Sequence, residues 1–128
     1  MKQNYVKSEF SETWLEDGIV FQVIAIEVKK ISREIAIQLV KDRNYAMTNF
    51  HGSVPVLVIV NNAISVEKDA KRYYDTEQPY DDIKAIAMLM DNYLARLVGN
   101  FVFLFDKQPV PISFFNDRSK AIEWLKSK

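Results

Sequence analysis

Cysteine is absent from this chain of 128 residues. Its absence excludes disulfides, thiolate catalysis and every metal site built on sulfur. Glycine occurs only 3 times, at Gly18, Gly52 and Gly99. A dinucleotide fingerprint or a phosphate loop needs glycines clustered at one strand-to-helix turn, so neither is possible. The single histidine, His51, cannot build a two-histidine zinc helix, and no serine sits in a G-x-S-x-G elbow. The chain also lacks a long apolar run. Residues 56–60 and 83–90 are the purest stretches, the second interrupted by Lys84. Both are far shorter than the ~20 residues that cross a bilayer. No apolar segment follows Met1-Lys2-Gln3-Asn4-Tyr5, so no secretory signal is read and the cytoplasm is the expected location. Charge of one sign is missing as well, with 17 Lys and Arg against 17 Asp and Glu. Nucleic acid is therefore not an expected partner, because its binders carry a basic excess.

What is present suits an ordinary folded protein. Apolar residues make up 48% and charged residues 27%, and the length suits a single domain over residues 1–128. A strand is expected over residues 5–15, with Phe10 and Trp14 on one face. Asp17-Gly18 then marks a hairpin, because both residues tolerate positive φ, and residues 19–24 return as a second strand. Val28, Ile31, Ile35 and Leu39 recur at helical steps, with Ala36 and Val40 beside them. This predicts a helix from about Glu27 to about Arg43, with Lys41 and Asp42 on its polar side. Residues 54–60 read as a central strand with Pro55 at its start. Ser65 is the expected N-cap of a charged helix from Val66 to about Asp75. Residues 83–90 favour a buried strand, and 92–98 a helix. Residues 101–105 are open between a new strand, by local propensity, and a continuation of that helix. A last strand, 112–115, follows Pro109-Val110-Pro111, and Asn116-Asp117 caps the final helix. Alternation of this kind implies one mixed sheet, about five strands and four helices, with parallel strands after the hairpin.

Parallel sheets bind ligands or partners just beyond the carboxyl ends of their strands. Three strands end here in polar pairs: Asn61-Asn62, Asp91-Asn92 and Asn116-Asp117. With Ser65 they form one candidate rim, although Asn, Asp and Ser also serve simply as helix caps. Lys68-Asp69-Ala70-Lys71-Arg72-Tyr73-Tyr74 is a second feature, and its neighbouring acids favour a solvated helix face with one tyrosine inward. Phe101, Phe103, Phe105, Phe114 and Phe115, with Trp124, form a third: core first, otherwise an apolar cavity or a dimer contact. His51 reads as a loop residue rather than a general base, since no nucleophile pairs with it. A response-regulator receiver fails, because Ile24 and Asn61 stand where its magnesium carboxylates belong.

The hairpin with Trp14 and Asp17-Gly18, the strand at 54–60, and Ala70-Lys71-Arg72-Tyr73-Tyr74 together resemble the STAS group. These are the sulfate transporter and anti-sigma factor antagonist domains, here in a branch of small bacterial STAS-like or lipid-transfer-like proteins. The resemblance continues through residues 83–90, Arg96, Asn100-Phe101, Pro111, Phe115 and Ala121-Ile122-Glu123-Trp124-Leu125. It implies a STAS-like α/β fold over nearly the whole chain and a continued helix at 101–105. Anti-sigma factor antagonists are switched by phosphorylation of a serine in a D-x-S-G-like turn. The corresponding Asn61-Asn62-Ala63-Ile64-Ser65 lacks the aspartate and glycine, so that switch is not carried over. The expectation is a non-enzymatic module without a cofactor that binds a partner protein. Its surface would comprise Asn61, Asn62, Ser65, Arg72, Asp91, Asn92 and Asn116. The alternative is a small-ligand or acyl-chain carrier, and a homodimer is the further assembly considered.

Overall fold

The computed structural model describes residues 1–62, 64–91 and 108–128. The chain opens with strands β1 (Gln3–Lys7), β2 (Ser11–Glu16) and β3 (Ile19–Ile24). A two-residue β4 (Lys30–Ile31) leads into α1 (Arg33–Ala46), and β5 (Val54–Ile59) follows. A second short strand, β6 (Ser65–Val66), precedes α2 (Lys68–Glu77) and β7 (Ile83–Leu89). The described chain closes with β8 (Ile112–Phe115) and α3 (Arg118–Lys126). The mixed α/β architecture read from the sequence is therefore present.

Six strands form one sheet in the order β1-β2-β3-β5-β7-β8. The first three pair antiparallel and the rest parallel. At the β2–β3 hairpin, Glu16 faces Ile19 across a two-residue turn. Asp17 and Gly18 there have φ of 53° and 76°, the positive pair that this turn requires. Parallel neighbours require crossover connections, so the helices lie over the sheet faces. Side chains alternate along each strand and divide into two cores. Val20, Val56, Ile86 and Met88 face the α1 side, where Leu39 joins them. Trp14, Phe21, Leu57 and Ala87 face the other side, where Ala121 and Leu125 of α3 cover them. Trp14 stacks on Phe21 with 5.6 Å between ring centroids, and the Lys2 ammonium lies 3.9 Å from the Trp14 ring.

Several expectations need correction. The opening strand is two, because the chain turns at residues 8–10 and the Ser8 amide donates to the Ser11 carbonyl. Phe10 sits in that turn and packs on the α1 side, whereas Trp14 faces the α3 side. The first helix begins at Arg33, since Lys30–Ile31 instead pairs in parallel with Ser65–Val66. Ser32 caps it, accepting from the Ile35 amide at 3.3 Å. The same short ladder removes Ser65 from its expected capping role, and Glu67 stands at the cap of α2. Splitting the first strand and adding this ladder raise the described strands to eight. Among the described residues there are three helices. The helix expected from Asn92 and the open segment 101–105 lie outside the described residues. Among the described residues no helix is long and apolar enough to cross a membrane.

Asp42 is a further correction: it is buried, not solvent-facing. Its carboxylate accepts from Ser8 Oγ at 2.6 Å, Gln38 Nε2 at 2.8 Å and Ser11 Oγ at 3.2 Å. Gln22 Nε2 donates to the Leu39 carbonyl at 2.9 Å and lies 3.3 Å from Thr13 Oγ1. These polar groups sit between β2, β3 and α1 with their hydrogen bonds satisfied internally, which makes their burial tolerable.

Leu57 is fully buried on the central strand. Leu57→Ala should lower stability by about 3 kcal/mol, measured by denaturant unfolding. An alanine side chain at Gly18 would meet nothing within 4 Å, so Gly18→Ala should lose only about 1 kcal/mol, the conformational cost of its positive φ. Equal losses for the two would contradict this division between core packing and turn geometry.

Candidate functional site

The parallel strands carry their carboxyl ends to one edge of the sheet. β5 runs on through Val60 to Asn61, β7 through Met90 to Asp91, and β8 to Asn116. The Val60 amide donates to the Leu89 carbonyl at 2.9 Å and the Met90 amide to the Phe115 carbonyl at 3.0 Å. These bonds hold the three tips in register. Asn61, Asp91 and Asn116 line a single open cleft of about 310 Å³ with Arg118, over a floor that includes Ile59 and Leu89. Asp117 caps α3, its Oδ1 accepting from the Lys120 amide at 3.1 Å. The cap makes Arg118 the first helical residue, where it lines the cleft with its guanidinium 5.2 Å from the Phe21 ring. The arrangement offers amides, a carboxylate and a guanidinium over an apolar base, a surface that can hydrogen-bond a polar partner.

The other expected site residues lie elsewhere. Asn62 is not in the cleft; its side-chain amide donates to the Ile26 carbonyl at 2.9 Å and ties the β5 exit to the β3 exit. Ser65 is an exposed residue of β6 paired with Lys30. Arg72 lies on the exposed side of α2, its guanidinium 3.2 Å from Asp69. Lys71 pairs with Asp75 at 2.6 Å, so this face of α2 is neutralised locally. Asn92 lies outside the described residues. Both tyrosines of α2 turn inward, not one: Tyr73 packs against Ala36 and Val40, and Tyr74 borders the large core. Phe114 and Phe115 face opposite sides of the sheet, so they cannot line one cavity together, and Phe115 packs on Trp124 at 5.5 Å. Phe101, Phe103 and Phe105 lie outside the described residues.

Sequence reasoning missed a second concavity. Between the sheet and the two helices α1 and α2 is a cavity of about 80 Å³. Its walls include Ile24, Val56, Val58, Ile86 and Met88, and its polar members among the described residues are Gln22, Arg43, Tyr74 and Tyr80. Arg43 is only 6% exposed. One of its terminal nitrogens donates to the Pro79 carbonyl. Its Nε is buried without an acceptor among the described residues. Arg43 extends the four-residue step of Ile35 and Leu39, so the apolar stripe itself pointed to it. Tyr80 follows a proline in a loop, and nothing in the sequence marks it.

Burial governs ionisation around this cavity. It pushes the Tyr74 hydroxyl up to about 12, against the opposing pull of Arg43, with Tyr73 adding to the rise. Burial raises Tyr80 further, assisted by Tyr74 and opposed by Arg43. Loss of hydration lowers the Arg43 value, while the three phenols favour its charge. At neutral pH both cavity tyrosines are therefore neutral hydrogen-bond donors beside a guanidinium.

Comparison with known proteins fixes the class. The family model described as a domain of unknown function, DUF7793, matches residues 13–128, and the chain belongs to this family. The fold is also that of a crystal structure from Shewanella loihica PV-4, described as an uncharacterized DUF3478 protein with a SpoIIAA-like fold. The two share 15% identity over 98% of this chain and 95% of that one, with a TM-score of 0.53. The likeness establishes a STAS-like fold. No curated protein matches the chain.

The tyrosine values predict the response to alkali. An unfolded tyrosine ionises at about 10, whereas Tyr74 holds its proton to about 12. Their contribution is fully present below about pH 10 and is lost as pH rises from there toward the folded value. The melting temperature should fall above about pH 10, and Tyr74→Phe should fall less steeply. Parallel curves for the two proteins would exclude this origin.

Proposed function

We propose that this protein is a non-enzymatic STAS-like module that docks a partner protein through the rim at the carboxyl ends of its parallel strands. The observation that carries this reading is the meeting of Asn61, Asp91 and Asn116 with Arg118 in one cleft. Residues from three strand exits and a helix start converge there, at the edge where parallel sheets place their binding sites. Both charge signs are present on exposed side chains, which favours a polar, orientation-specific contact. Ser65 and Arg72 lie outside the cleft and have no part in this contact. Phosphorylation is not included, since the D-x-S-G-like turn is missing and Ser65 lies in a strand.

Position-specific photo-crosslinking in living cells tests the reading. A crosslinker at Asn61 and one at Asn116 should each trap the same protein. One at exposed Glu34 on α1 should not, and Arg118→Glu should reduce the rim adduct about tenfold. Absence of an adduct from both rim positions, or equal adducts from Glu34, would show that the rim is not the docking surface.

A further inference from the structure

We propose that the cavity beneath α1 and α2 binds a small aliphatic carboxylate. Arg43 would hold the carboxylate with help from Tyr74 and Tyr80, and the hydrocarbon would rest on the β5 and β7 side chains. Charge around Arg43 is out of balance. Buried arginines are normally paired, because a desolvated cation without a counter-charge is unfavourable. Arg43 is 6% exposed, yet among the described residues it has no ion pair, and its side-chain bond goes to the Pro79 carbonyl. Asp42, next in sequence, is committed to Ser8, Ser11 and Gln38.

A guanidinium presents five N–H donors in a planar fork. The Pro79 carbonyl takes up one terminal nitrogen and fastens α1 to the loop before β7. This structural role leaves the buried Nε and the missing counter-charge unexplained. A carboxylate in the cavity supplies that counter-charge, because it accepts charge-assisted N–H bonds from arginine. The flanking tyrosine hydroxyls remain protonated and can donate to the same oxygens.

The walls define the rest of the ligand. Val56, Val58, Ile86 and Met88 offer no hydrogen bonds, so the ligand beyond its anionic group is hydrocarbon, and a sugar there would lose hydration without replacement. A cavity of about 80 Å³ holds a short hydrocarbon but not a long acyl chain. The site is separate from the docking cleft and, among the described residues, shares Val60 alone with it, so either can fail without the other.

Titration of the full-length protein with sodium butyrate, followed by NMR of methyl groups and of arginine Nε–H, tests the proposal. Saturable shifts are expected at Val58, Ile86, Met88 and the Arg43 Nε–H. Butanol, which has the same carbon chain without the charge, should bind about tenfold more weakly. Arg43→Gln should reduce butyrate to the level of butanol. Should that variant not fold, Val58→Phe fills the cavity from the sheet side, keeps Arg43, and should abolish the shifts. Equal binding of butyrate and butanol, matching shifts with inorganic phosphate, shifts confined to surface residues, or unchanged butyrate binding by Val58→Phe would each overturn it.

Discussion

The alternation of side chains along β5, in the middle of the sheet, is the constraint on which the remaining structure depends. Val56 and Leu57 are adjacent, yet one belongs to the core under α1 and the other to the core under α3. A strand covered on both faces must be apolar at every position, and residues 54–59 are. Its parallel neighbours β3 and β7 then need crossovers, which bring all their exits to one edge. The cleft at that edge and the cavity beneath the helices are two results of this arrangement. Val60, at the end of β5, borders both.

Asp42 and Arg43 show how two buried charges are treated differently by neighbouring positions on one helix. Consecutive helical residues point about 100° apart. Asp42 is directed toward β2 and the turn before it, where serine and glutamine donors saturate its carboxylate. Arg43 is directed toward α2 and the loop at Pro79, where it meets phenols and one carbonyl. The first set of contacts is closed. The second leaves Arg43 without an ion pair among the described residues beside an apolar hollow, and the proposed carboxylate site rests on this asymmetry.

Fold and function are carried by different residues here. The STAS-like fold follows from the hairpin, the continuous apolar strands and the crossover helices, and it is shared with a protein at 15% identity. Such folds serve many roles, so the role must come from the sites. The chain leaves β5 through Asn61 and Asn62, and Ser65 lies in a two-residue strand. Asn62 there bonds the Ile26 carbonyl and serves to join two strand exits.

The sequence by itself determined the elements whose causes are local. Asp17-Gly18 required a positive-φ turn, residues 54–59 and 83–89 were apolar enough to be central strands, and Asp117 could cap the last helix through its own side chain. It also put polar residues at the three strand ends, which parallel pairing then aligned. Only the tertiary structure decided what depended on distant partners. The start of α1 was set by pairing of Lys30–Ile31 with Ser65–Val66, a contact that no local periodicity encodes. The burial of Asp42 depended on serines 31 and 34 residues away. The cavity around Arg43 required Tyr80 to arrive from a separate loop. Local propensity reports the energy of a residue with its chain neighbours, whereas burial and charge balance are set by whatever the fold brings against it.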